Sequence, residues 1–140
     1  PYDRAHTECR HEHCRMTWIP LMISLGAVVG ALRRYYVTLF WIAQRGQRFP
    51  YGTLFVNLTG SLLIGFLSIM ATKITLPIAT QKLIVVGFLG SYTTFSSYTL
   101  DAANLFRSRQ ILPGLLYWLG SPILGLVCVK LGIWIAQNLG

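Results

Sequence analysis

Acidic side chains are almost missing from this chain. Its 140 residues hold four Asp and Glu against twelve Lys and Arg, a formal charge of +8. Asp3, Glu8 and Glu12 offset Arg4, Arg10 and Arg15, so from Met16 onward nine bases face a single acid, Asp101. Charge of either sign is scarce, at 11% of residues, while 54% are hydrophobic, a balance that points to lipid rather than water. Histidine is absent after His13, and no motif pairs a nucleophile with a base, so an enzyme is not expected. The bases stand between apolar runs and are not gathered with aromatics on one polar face, which argues against a nucleic-acid partner. Strict apolar/polar alternation is missing too, and with it the case for a membrane β-barrel. No A-x-A-like cleavage site precedes a soluble stretch, so the first apolar run is expected to stay in place and not to be removed as a signal peptide.

What the chain does have is four apolar runs, at residues 18–43, 52–71, 83–106 and 111–135. Crossing a hydrocarbon layer of about 30 Å takes roughly 20 helical residues, and each run is long enough. Backbone groups in lipid must be satisfied within the segment. The fold class expected is therefore an all-α membrane protein of four transmembrane helices, occupying residues 16–140. Residues 1–15 are expected to form a disordered N-terminal extension. Their Cys9, Cys14, His6, His11 and His13 fit no zinc-ligand spacing. Cys128, inside the fourth run, reads as a small buried residue.

Three short polar breaks carry the loop charges: Arg45 with Arg48, Lys73 with Lys82, and Arg107 with Arg109. They are too evenly divided between the two sides for the positive-inside rule to choose an orientation. Either the chain inserts both ways, which makes an antiparallel two-fold dimer accessible, or the arginines of the first fifteen residues fix one orientation.

Small residues recur at helical spacing. Gly26 and Gly30 form G-x-x-x-G in the first run, and Gly114, Tyr117, Ser121, Gly125, Cys128 and Gly132 share one face of the fourth; packing alone explains such stripes. The second run aligns Asn57, Ser61, Gly65 and Ser68 in a polar seam, where Asn57 serves either as interhelical glue or as a donor into a wet pathway. Arg33 and Arg34 end the apolar part of the first run, one suited to snorkelling to the interface and the other to lending positive potential at a cavity mouth. In "SYTTFSSYT", Ser91 to Thr99, eight of nine residues carry a hydroxyl. Preceded by Gly87 and Gly90, this stretch is a weak helix former. Either it unwinds and exposes carbonyls toward a cavity or an ion, or its hydroxyls bond back to their own helix. Phe95 and Tyr98, three apart, are placed to turn electropositive ring edges toward a small anion.

The sequence "GALRRY" at Gly30 to Tyr35, "GTLFVNLTG" at Gly52 to Gly60 and "GSYTTFSSY" at Gly90 to Tyr98, in that order on three successive runs, resembles the Fluc/CrcB fluoride channel family. The resemblance covers most of Met16 to Asp101, and the fourth run matches by position. It implies a passive, fluoride-selective channel that exports cytoplasmic fluoride from a bacterial inner membrane. It also implies an antiparallel, dual-topology dimer whose third helix is broken mid-membrane. On this resemblance, Asn57, Thr94, Phe95, Ser97, Tyr98, Tyr117 and Ser121 line the fluoride pore, and Arg34 and Asp101 belong to the vestibule. Gly90 and Thr93 lend backbone carbonyls to a structural sodium ion at the dimer centre.

Three departures from the family pattern stand out. Tyr98 replaces a phenylalanine in the second ring position, Ser91 replaces a glycine, and Asp101 stands where a glutamate is usual. Altered rings also leave open a heterodimer with a paralogous subunit beside the homodimer. The alternative class is a small dual-topology proton-coupled exporter. Such a protein wants a carboxylate near the middle of the first helix, where this chain has none.

Overall fold

A computed structural model describes residues 18–74 and 76–139; the expected disordered extension over residues 1–15 lies outside them. Helices make up almost all of the described chain, and no strand occurs among the described residues. The first, α1 (Tyr2–Arg45), is described from Trp18 onward. It stops where Gly46 takes a left-handed φ of 72° and its N–H caps the Ile42 carbonyl, a conformation that glycine adopts without steric cost. Pro50, which has no N–H to offer, precedes α2 (Tyr51–Lys73). Pro77 likewise precedes α3 (Ile78–Gln81), which runs on into a π-helical stretch, Lys82–Leu89. Then come α4 (Gly90–Tyr92), α5 (Phe95–Arg107) and α6 (Ile111–Asn138).

Among the described residues, three passes are long and apolar enough to cross a membrane, by length and composition: Tyr51–Lys73, Ile78–Arg107 and Ile111–Asn138. The expected runs at 52–71, 83–106 and 111–135 fall inside them. The expected first run, 18–43, is helical and is not one of the three among the described residues.

The helices pair through backbone contacts. α1 lies on the π-helical stretch and α4, and α2 lies on α6. A Cβ on Gly26 would collide with the Leu83 carbonyl and come within 3.2 Å of the Gly87 Cα. Across the other pair, a Cβ on Gly132 would collide with the Leu62 carbonyl and sit 2.8 Å from the Phe66 nitrogen. Only residues without a side chain permit these approaches, which bring dispersion and polar backbone contacts where lipid removes the hydrophobic drive. At its far end α6 is tied back by Lys73, whose ammonium donates to the Ala136 carbonyl at 2.9 Å, a cation at the negative end of a helix.

The inner cluster is small: Tyr98, Ala102, Leu105 and Tyr117, with Phe49 and Leu54 packed on it. Large apolar side chains instead point outward, among them Leu112, Leu116, Ile123, Leu126 and Trp134 of α6. A water-soluble protein does not expose a continuous apolar surface of this extent.

Candidate functional site

The third pass is interrupted. α4 ends at Tyr92, Thr93 and Thr94 adopt extended dihedrals (φ −75°, ψ 152° and φ −148°, ψ 117°), and α5 starts at Phe95. Local chemistry favours this. Thr94 is the N-cap of α5, its hydroxyl accepting from the Ser97 N–H at 3.2 Å in the usual manner of a capping threonine. Thr93 donates both its N–H (3.1 Å) and its hydroxyl (3.0 Å) to the Leu89 carbonyl, closing the end of the preceding helix.

Three consecutive residues are held from α2. Tyr92 shares a 3.0 Å hydroxyl bond with Thr59, and the Thr93 methyl lies against Gly60 where a Cβ would otherwise be. Thr94 meets the side-chain amide of Asn57 twice. The Thr94 N–H donates to Asn57 Oδ1 at 2.8 Å, and Asn57 Nδ2 donates to the Thr94 carbonyl at 3.1 Å. One amide thus grips both backbone groups of the N-cap residue and gives its N–H the acceptor that the broken ladder withholds.

The interruption frees the last carbonyls of the preceding helix, those of Gly90 and Thr93 among them. In a continuous helix Gly90 would accept from the Thr94 N–H and Thr93 from the Ser97 N–H. Those two donors are taken by Asn57 and by the Thr94 hydroxyl. Gly90 is also open, its nearest atom to a built Cβ being the Val85 carbonyl at 3.9 Å. Oxygen donors of this kind suit a hard cation such as sodium. Among the described residues no group of three or more His, Cys, Asp or Glu side chains is placed to hold a metal.

Of the residues singled out from sequence, Asn57, Gly90, Thr93, Thr94, Phe95, Tyr98 and Ser121 line one groove of about 610 Å³ between α2, the interruption and α6. Phe95 is 77% exposed in it, whereas Tyr98, at a ring distance of 5.7 Å, is buried. Tyr117 packs on Tyr98 at 5.4 Å without lining the groove. Ser97 sits behind, receiving a hydrogen bond from Thr94 Oγ1 at 3.1 Å. Among the described residues no hydrogen-bond partner meets the buried hydroxyls of Tyr117 and Ser121, an arrangement costing about 1–3 kcal/mol each unless water or a ligand completes it.

The two vestibule candidates lie elsewhere. Asp101 accepts a hydrogen bond from Thr53 at 2.6 Å and lines a separate cavity of about 290 Å³ with Arg48, Asn104 and Gln110. Arg34 is half-buried on α1 and lines neither space.

Part of the hydroxyl-rich run takes the second of its two courses. Ser91, Thr93 and Thr99 bond back to the carbonyls of Phe88, Leu89 and Phe95, while Tyr92 and Tyr98 reach other helices. Sequence reasoning missed Thr59, Gly60 and Thr53. Their signal was adjacency, since all three fall in "GTLFVNLTG", the same stretch that singled out Asn57.

Long apolar helices, an outward apolar belt and a largely apolar groove at a helix interruption define a multi-pass helical membrane protein. Residues 21–133 match the profile of the family described as CrcB-like protein, Camphor Resistance (CrcB). The chain is 48% identical over 124 residues to a protein of Trichormus variabilis named "Fluoride-specific ion channel FluC", covering 86% of this chain and 90% of that one. Proteins of the same name from a Synechococcus and a Synechocystis strain are 44% and 45% identical, each over 121 residues, covering 85% and 86% of this chain and 92% and 93% of theirs. The chain belongs to the CrcB family.

Proposed function

We propose that this protein is an ion channel, not an enzyme, and that it passively exports fluoride from the cytoplasm and so relieves fluoride toxicity. The relatives' shared name supports the activity. The observation that carries the mechanism is the Asn57–Thr94 clamp, which opens a groove beside an exposed aromatic ring.

The driving force is electrochemical. In acidic surroundings fluoride is protonated to uncharged hydrogen fluoride, which enters the cell and ionises there, and a negative-inside potential favours anion exit by about 2.3 kcal/mol per 100 mV. A small, strongly hydrated anion crosses only where donors replace its water. Phe95 offers a ring edge, and the Ser121 hydroxyl offers an O–H donor in the groove, with Tyr117 set back against Tyr98. Arg34 contributes positive potential on the way in, and Asp101 with Thr53 shapes the other cavity.

In this reading α1 is the fourth membrane crossing and the Thr93–Thr94 interruption lies at mid-membrane. Two copies pair antiparallel across it, as a homodimer or with a paralogous subunit, in a bacterial plasma membrane. The freed carbonyls of Gly90 and Thr93 would hold a structural sodium ion, supplying fixed positive charge at the dimer centre. A proton-coupled exporter is not favoured, since Asp101, the sole acid after Met16, is engaged with Thr53.

Vesicles loaded with potassium fluoride, opened to potassium with valinomycin and followed by a fluoride electrode, test the channel. Fluoride release with no chloride release is expected, and Phe95→Ile is expected to slow it at least roughly tenfold, about 1.4 kcal/mol of ion stabilisation. Equal release of both halides would sink the proposal.

A further inference from the structure

The residue in the second ring position is a tyrosine, and its hydroxyl has a defined task. Tyr98 Oη donates to the carbonyl oxygen of Trp118 on α6 at 2.5 Å. Trp118 lies four residues before Pro122, which stands inside α6. An α-helical carbonyl accepts from the N–H four residues on, and proline has none. The carbonyl that Pro122 orphans is therefore the one that Tyr98 satisfies. A phenylalanine at 98 would have no donor to offer. The outcome is visible in the two rings: Tyr98 is 7% exposed, with Tyr117 against it, while Phe95 stands out into the groove.

We propose that Pro122 is a positioning residue for the second ring: by freeing the Trp118 carbonyl it gives the Tyr98 hydroxyl an anchor, fixes that ring on α6 in the groove wall, and leaves Phe95 as the exposed ring of the two. The inference rests on the channel reading, in which ring edges meet the anion. Tyrosine and proline form a matched pair. Proline without the hydroxyl leaves a buried carbonyl unpaired, and the hydroxyl without proline meets a carbonyl already served by its own helix. Pro122 also lines the groove next to Ser121, so one turn of α6 sets both the anchored ring and the wall opposite Asn57.

A double-mutant cycle tests this on the full chain, comparing wild type, Y98F, P122A and the double variant. Two quantities are read: the unfolding equilibrium in detergent, and fluoride efflux from vesicles. With Pro122 present, Y98F is expected to shift unfolding by about tenfold, the net worth of one hydrogen bond, and to change efflux at least roughly fivefold. In the P122A background, where an alanine N–H takes the Trp118 carbonyl, both effects should shrink to under about twofold. Equal effects of Y98F in the two backgrounds overturn the pairing. Should Y98F fold only in combination with P122A, the rescue supports the pairing; failure to fold in both backgrounds overturns it. If wild-type vesicles release no fluoride, the channel reading falls, while the unfolding cycle still decides whether Pro122 and Tyr98 act together.

Discussion

Asn57 uses one side chain to answer both backbone groups of Thr94, which lies 37 positions away in sequence. Asn57→Ala leaves the Thr94 N–H without its acceptor at the interruption, a loss of about 1–3 kcal/mol. Thermal unfolding in detergent should therefore show a clear drop in midpoint. Asn57→Asp keeps the acceptor for the Thr94 N–H and should lose less than alanine; equal midpoints for wild type and Asn57→Ala would show that the clamp does not hold. The sequence marked Asn57 as a polar residue in an apolar helix. It left open whether the amide meets another helix or a wet pathway, because that depends on which remote backbone lies opposite. The same limit applied to Tyr98. Its hydroxyl looked like an addition to a bare ring, and its partner became visible only once Pro122 of another helix was placed beside it.

Helices that touch through glycine set the next level. The small-residue stripes were legible because spacing of three and four is a property of any α-helix. Which helix each stripe meets was not, since the contact surface of a glycine is its neighbour's backbone and carries no side-chain code. Gly132→Val would drive a branched side chain into the Leu62 carbonyl of α2. The expected cost is about 1–3 kcal/mol, seen as a lowered melting midpoint, with Gly120→Ala, which meets nothing within 4 Å, as the silent comparison. The π-helical stretch Lys82–Leu89 had no sequence signal at all. A single wide turn changes the phase of everything after it and leaves composition untouched.

At the scale of the whole molecule, composition announced a membrane protein and the near-balance of loop cations left its orientation open. Both follow from totals and positions along the chain, which need no contacts to be read. The dual-topology proposal predicts that a cysteine at Gln47, in the exposed turn between α1 and α2, is reached from both sides of the membrane. In a background with Cys9→Ala, Cys14→Ala and Cys128→Ala, about half the copies should react with an impermeant maleimide before lysis and the rest after it. Labelling from one side alone would exclude the antiparallel pair. The residues that secure 92–94 (Asn57, Thr59 and Gly60) all come from the same polypeptide. Each copy in the proposed dimer would therefore arrive as a finished half whichever way it is inserted, and assembly would be governed by lateral encounter in the bilayer, with no refolding step between meeting and conducting.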